Sequence, residues 1–111
     1  MNAQQYAVLY VFDVKSGSEA VFEAAWKSVT EAIQSESGSG GSRLHKSQNG
    51  TYWAHALWPS RAALEGAELS ESVAESRQQM VEACDRIEVL GEGDVVVDCW
   101  QVERPLTLTK S

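Results

Sequence analysis

The chain has little of what several common protein fates require. Of its 111 residues only two are cysteine, two proline and eight glycine. That excludes a collagen-like or Pro/Gly-rich disordered chain. The two cysteines, Cys84 and Cys99, stand in no CxxC or Cys/His spacing, which excludes a disulfide scaffold and a zinc module. They read as reduced packing residues. Positive charge is also short: nine Lys and Arg face sixteen Asp and Glu, a net charge of −7. Such a surface has no field to hold a phosphate backbone or an anionic bilayer, so neither nucleic acid nor membrane is an expected partner. The longest apolar run, Tyr6 to Phe12, is far too short to cross a bilayer. Met1 to Gln5 carries no basic or apolar leader pattern, so the protein is expected in the cytoplasm. GxGxxG, P-loop, GxSxG and HExxH patterns are missing, and no cofactor or metal is expected.

What the sequence does have is the composition of one globular domain over residues 1–111, with 43% hydrophobic residues. Its core is expected over about 6–102, with 103–111 as a C-terminal tail that either crosses onto a partner subunit or stays disordered. Residues 6–14 (YAVLYVFDV) are apolar on both alternating faces, the pattern of a covered strand. Ser16 and Glu19 form a capping-box pair, and Phe22, Trp26, Val29 and Ile33 recur at helical spacing over 17–36. The glycine run Gly38 to Gly41 stops that helix. Residues 42–47 and 51–58 flank Asn49-Gly50, a strong hairpin signal. Pro59-Ser60 then opens a short helix over 61–67. A second helical stretch over 71–84 aligns Val73, Met80, Val81 and Cys84 with Arg77 between them. Residues 87–90 and 95–102 supply the last strand in two parts around Gly91 to Asp94, read as a turn or bulge.

A two-residue turn at Asn49-Gly50 sets Gln48 opposite Thr51. It places Leu44 and Lys46 on one face with Trp53, His55 and Leu57. Arg43, His45, Tyr52, Ala54, Ala56 and Trp58 then share the other face, where two alanines between large groups leave room for a cavity.

The order β, α, β, β, α, β is the ferredoxin-like plan, an α+β fold with a four-stranded antiparallel sheet and helices on one face. The other face would expose Val, Leu, Ala and Trp, so a homodimer is expected to cover it. The helix with Phe22 and Trp26, the glycine loop before Ser42-Arg43-Leu44-His45, and Leu57-Trp58-Pro59-Ser60-Arg61-Ala62-Ala63-Leu64 together resemble the antibiotic biosynthesis monooxygenase family. The resemblance implies a dimeric α+β barrel and cofactor-independent oxygenation or haem degradation in a cavity between sheet and helices. It gives Trp58 the part of that family's pocket tryptophan. Ala54 stands where the family's enzymes place an asparagine, and Glu65 to Gln79 contains no histidine to serve as the haem-degrading branch's ligand.

On this reading a small aromatic or carbonyl-bearing ligand sits among Trp58, Tyr52, Arg43 and Arg77, with His45 as general base and a guanidinium to stabilise an enolate. Tyr10 and Tyr52 can orient a phenol, or fill the core. Trp58 walls the ligand, or anchors the short helix; Arg77 reaches the pocket, or pairs at the surface. Asp98, between Val97 and Cys99, is a carboxylate that burial would perturb. The competing function is a non-catalytic binding or dimeric module with a filled core.

Overall fold

The computed structural model describes residues 5–67 and 71–99. A nine-residue strand forms where the β-branched and aromatic run predicts it, β1 (Tyr6–Val14). Lys15 to Ser18 then turns tightly, with Ser18 N–H donating to the Lys15 carbonyl at 2.9 Å and Gly17 at φ +88°. That left-handed glycine cannot be helical, so α1 starts only at Glu19 and runs to Ser37. This corrects the Ser16 capping box. Ser18 is the N-cap residue, without a side-chain cap bond, and the Glu19 carboxylate instead accepts from Gly17 N–H at 3.0 Å. Gly38, left-handed at φ +73°, ends the helix as expected.

Strands β2 (Gly41–Lys46) and β3 (Tyr52–Trp58) form the expected hairpin, but not in the expected register. Ser47 N–H donates to the Thr51 carbonyl at 2.8 Å, and Gly50 lies at φ +92°. The loop therefore holds three residues, Gln48 to Gly50, closed by a left-handed glycine, rather than two. His45 pairs with Trp53 and Arg43 with His55, while Leu44 pairs with Ala54 and Lys46 with Tyr52. Because side chains alternate, this one-residue slip exchanges the two faces of β2.

Helix α2 (Arg61–Glu65) begins as predicted, with the Ser60 hydroxyl accepting from Ala63 N–H at 3.1 Å. Helix α3 (Glu71–Glu82) is shorter than its expected span. Cys84 belongs to the next strand instead, β4 (Cys84–Asp94), and is buried. Gly91 to Asp94 is therefore neither a turn nor a break in β4. The irregularity falls at Leu90, a bulge between the pairs Tyr10–Val89 and Leu9–Gly91. β1 is used up at the Tyr6–Asp94 pair, so Val95 gains only one backbone bond, to the Gln5 carbonyl at 2.8 Å. Residues 95–99 consequently carry no ladder, and Val97 is 79% exposed. Residues 100–102 of the expected strand and the tail 103–111 lie outside the described residues.

The sheet is antiparallel with order β2-β3-β1-β4, the ferredoxin-like α+β arrangement. The helices cover the face that carries Tyr6, Val8, Phe12, Tyr52, Ala54, Ala56 and Trp58, all buried. One core cluster centres on Phe22 of α1, wedged 5.0 Å from the rings of both Phe12 and Tyr52. Such tilted ring pairs add about 0.5–1.5 kcal/mol beyond burial. A second joins Tyr6, Val8 and Trp58 to Ile33 of α1 and to Ala63 and Leu64 of α2. The opposite face presents Ala7, Leu9, Val11, Trp53 and Leu57, half-buried or exposed. On β4 this outer face carries Gly91 and Gly93, while Glu92 and Asp94 turn to the helix side opposite Val8 and Tyr6.

Candidate functional site

Trp58 closes β3 on the helix side and stands opposite Tyr6 of β1. It is 5% exposed, and its indole Nε1 is a buried donor without a hydrogen-bond partner. Burying an N–H unpaired costs about 1–3 kcal/mol, a loss that an acceptor atom of a bound molecule would remove. Tyr52 shares this face and is 1% exposed, but its hydroxyl donates to the Glu23 carboxylate of α1. Burial, then the bond to Glu23, pushes that phenol up to about 12. Tyr52 is thus a core residue whose polar end is already engaged.

The expected single pocket does not gather all its residues. The three-residue hairpin loop sends Arg43 and His45 to the outer face, away from Trp58 and Tyr52. There the His45 imidazole stacks on Trp53, with ring centroids 4.0 Å apart and planes at 16°. His55, read in sequence as an outer-face residue, stays on that face opposite Arg43. Asp98 and Cys99 are exposed, so neither the expected burial of Asp98 nor the expected packing of Cys99 is found. Both line a hollow of about 710 Å³ that also takes in Arg43, His45, His55 and Leu57. A second hollow of about 480 Å³ lies between α1 and α3, lined by Val21, Ala25, Ser28 and Gln79. Among the described residues no group of three or more His, Cys, Asp or Glu converges as a metal site would require.

On the helix side the polar groups come from elements that sequence reasoning did not combine. The Tyr6 hydroxyl donates to Glu92 Oε1 at 2.7 Å, and this bond, with burial second, raises the phenol above its ordinary value. Tyr10, two residues on, is also raised, chiefly by burial and then by the Glu92 charge, while Arg77 acts in the opposite sense. Arg77 is exposed on α3, yet its charge is felt at Tyr10. Trp58 is therefore flanked, across β1, by a rim of Tyr6, Tyr10, Glu92 and Arg77. Glu92 was hidden because Gly91-Glu92-Gly93-Asp94 reads as a turn; the signal was its period-two alternation, which puts both acids on one face.

With this geometry in hand, the sequence pattern of the antibiotic biosynthesis monooxygenase family matches residues 5–82. The chain belongs to that family. A Caulobacter crescentus CB15 structure bearing the same family description superposes with a TM-score of 0.72 at 18% identity, covering 86% of this chain and 92% of that one. A Bordetella bronchiseptica structure of the same description gives 0.68 at 20%, covering 86% and 100%. SnoaB of Streptomyces nogalater, a cofactor-independent oxygenase, gives 0.64 at 16%, covering 89% and 97%. At such identities the likeness is one of fold. No curated protein matches the sequence.

Proposed function

We propose that the protein is a cofactor-independent monooxygenase that takes a small aromatic or carbonyl-bearing compound between its sheet and its helices. The observation that carries this reading is the buried, unpartnered Trp58 Nε1 on the helix side of the sheet. In such a site Trp58 hydrogen-bonds a carbonyl oxygen of the ligand, Tyr52 packs beneath it and Arg77 stands at the mouth. Loss of a proton from an activated carbon gives an enolate whose charge grows on that oxygen, where the indole N–H stabilises it. Dioxygen, the co-substrate, then oxidises the carbon, and a methylene plus dioxygen yields a ketone plus water. His45 and Arg43, the base and cation expected from the hairpin, stand on the other face and play no part in this version of the site.

The proposal includes a homodimer formed through the outer face. The apolar strip Ala7, Leu9, Val11, Trp53 and Leu57 is favourable surface to remove from water, and Trp53 is 37% exposed. Sedimentation of the purified protein is expected to give the dimer, and Trp53→Glu the monomer. A cytoplasmic setting agrees with two free thiols.

A second reading, a non-catalytic module, is favoured by one observation: the Tyr52 hydroxyl is already bound to Glu23 inside a packed aromatic cluster. Oxygen uptake with anthrone, whose central methylene is acidified by the ring carbonyl, separates the two. The monooxygenase reading expects one dioxygen consumed per anthrone converted to anthraquinone, above the spontaneous rate. Binding without uptake would leave the module, and neither binding nor uptake would remove the pocket.

A further inference from the structure

We propose that Glu92, oriented by Tyr6, is the proton acceptor of the Trp58 pocket. The inference rests on the monooxygenase reading above and gives it the base that the sequence placed at His45. Glu92 lies on β4 opposite Val8, and Trp58 on β3 opposite Tyr6, so the two flank β1 on the same face of the sheet. Two strand spacings across and one two-residue repeat along put their Cα atoms about 12 Å apart. Once both side chains reach inward, that separation suits a flat molecule presenting a carbonyl at one end and an acidic C–H at the other.

Tyr6 makes the carboxylate a defined group rather than a free surface acid. Its hydroxyl occupies Glu92 Oε1 at 2.7 Å, fixing the direction in which Oε2 points. The charged and titratable groups that act around this pair come from all the neighbouring elements: Tyr6 and Tyr10 of β1, Asp94 of β4, Arg61 of α2 and Arg77 of α3. The two arginines favour the ionised carboxylate that a base requires, and Asp94 opposes them.

The step balances without any resident cofactor. The methylene C–H bond breaks, its proton goes to Glu92 Oε2, and its electron pair stays on the substrate as the enolate, whose oxygen accepts from Trp58 Nε1. Carbon is then oxidised as dioxygen is reduced: the carbanion and dioxygen form a peroxide anion, which takes the proton back from Glu92. The resulting hydroperoxide loses water to leave the ketone, and the carboxylate is restored. Glu92 touches substrate, whereas Tyr6 is a positioning residue.

The test is steady-state oxygen uptake with anthrone across pH, for the wild type, Glu92→Gln and Tyr6→Phe, each checked for an unchanged unfolding curve. Wild-type activity is expected to fall on acidification as the carboxylate is protonated. Glu92→Gln is expected to lose about a hundredfold or more in kcat, to keep KM within about threefold, and to lose that acidic limb. Tyr6→Phe is expected to lose about tenfold in kcat while keeping the limb. Glu92→Gln with wild-type kcat and the acidic limb intact overturns the assignment while the monooxygenase reading stands. A wild type that neither binds nor oxidises anthrone overturns both.

Discussion

Replacing Trp58 by Phe tests whether the buried indole N–H is a vacant donor or a satisfied one. The side chain is 5% exposed and packs against Tyr6, Val8, Leu64 and Ile33. The exchange removes roughly 40 Å³ of side chain, which at the usual cost of an unfilled cavity is about 1 kcal/mol. The apolar area lost from burial adds about another 1 kcal/mol. Against this, an unpaired buried N–H is deleted, returning about 1–3 kcal/mol. The net change is therefore within about 1 kcal/mol, or about 4 °C in Tm for a chain of this length. Binding of a carbonyl probe such as anthrone should weaken by about three- to tenfold, the worth of one neutral hydrogen bond. Urea unfolding of both proteins, with probe titration alongside, supplies the two numbers. A loss of about 3 kcal/mol or more with unchanged probe affinity would refute the reasoning, because it would show an indole that is a satisfied core anchor and touches no ligand.

Three further outcomes follow from local geometry. The Tyr52 phenol titrates at about 12 in the folded protein against an ordinary value of 10.0, so its neutral form favours the fold. That contribution is complete below pH 10 and lost as pH rises from 10 to 12. Unfolding curves over that range should show the stability of the wild type falling towards that of Tyr52→Phe, and parallel pH dependence would contradict it. Ser60→Ala removes the acceptor for Ala63 N–H and should cost about 1 kcal/mol, read by thermal unfolding; no change would mean the cap bond is already replaced by water. Gly50→Ala meets no neighbour within 4 Å but forces a Cβ into φ +92°, so about 1 kcal/mol should be lost from backbone strain alone. An unaltered Tm there would argue that the loop can adopt another turn.

The element order was legible in the chain because each segment satisfies its own rule: apolar alternation in β1, a Phe22-Trp26-Val29-Ile33 stripe in α1, and Ser60 before α2. What the sequence concealed is parity and extent. Asn49-Gly50 marks a turn whether the loop holds two residues or three, and only the cross-strand packing of Leu44 and Ala54 under the helices selects three. Cys84 to Arg86 read as the end of a helix because Met80, Val81 and Cys84 keep helical spacing, but pairing with Val14 and Asp13 draws them into the sheet. Of the site, Trp58 was legible from its place before Pro59-Ser60. The Tyr6–Glu92 contact was not, since its partners are 86 positions apart and Glu92 sits between two glycines.

The hairpin loop carries a consequence for how this chain tolerates change. Surface turns usually accept an added or deleted residue at small cost. Here the loop acts as a parity switch: removing one residue between Ser47 and Thr51 would turn β2 over, moving His45 and Arg43 inward and Leu44 and Lys46 outward, without altering a single side chain of the strand. The chemistry on each side of the sheet is thus written in a count as much as in residue identities. Two relatives with the same residues at these positions and loops differing by one would be different proteins to a ligand.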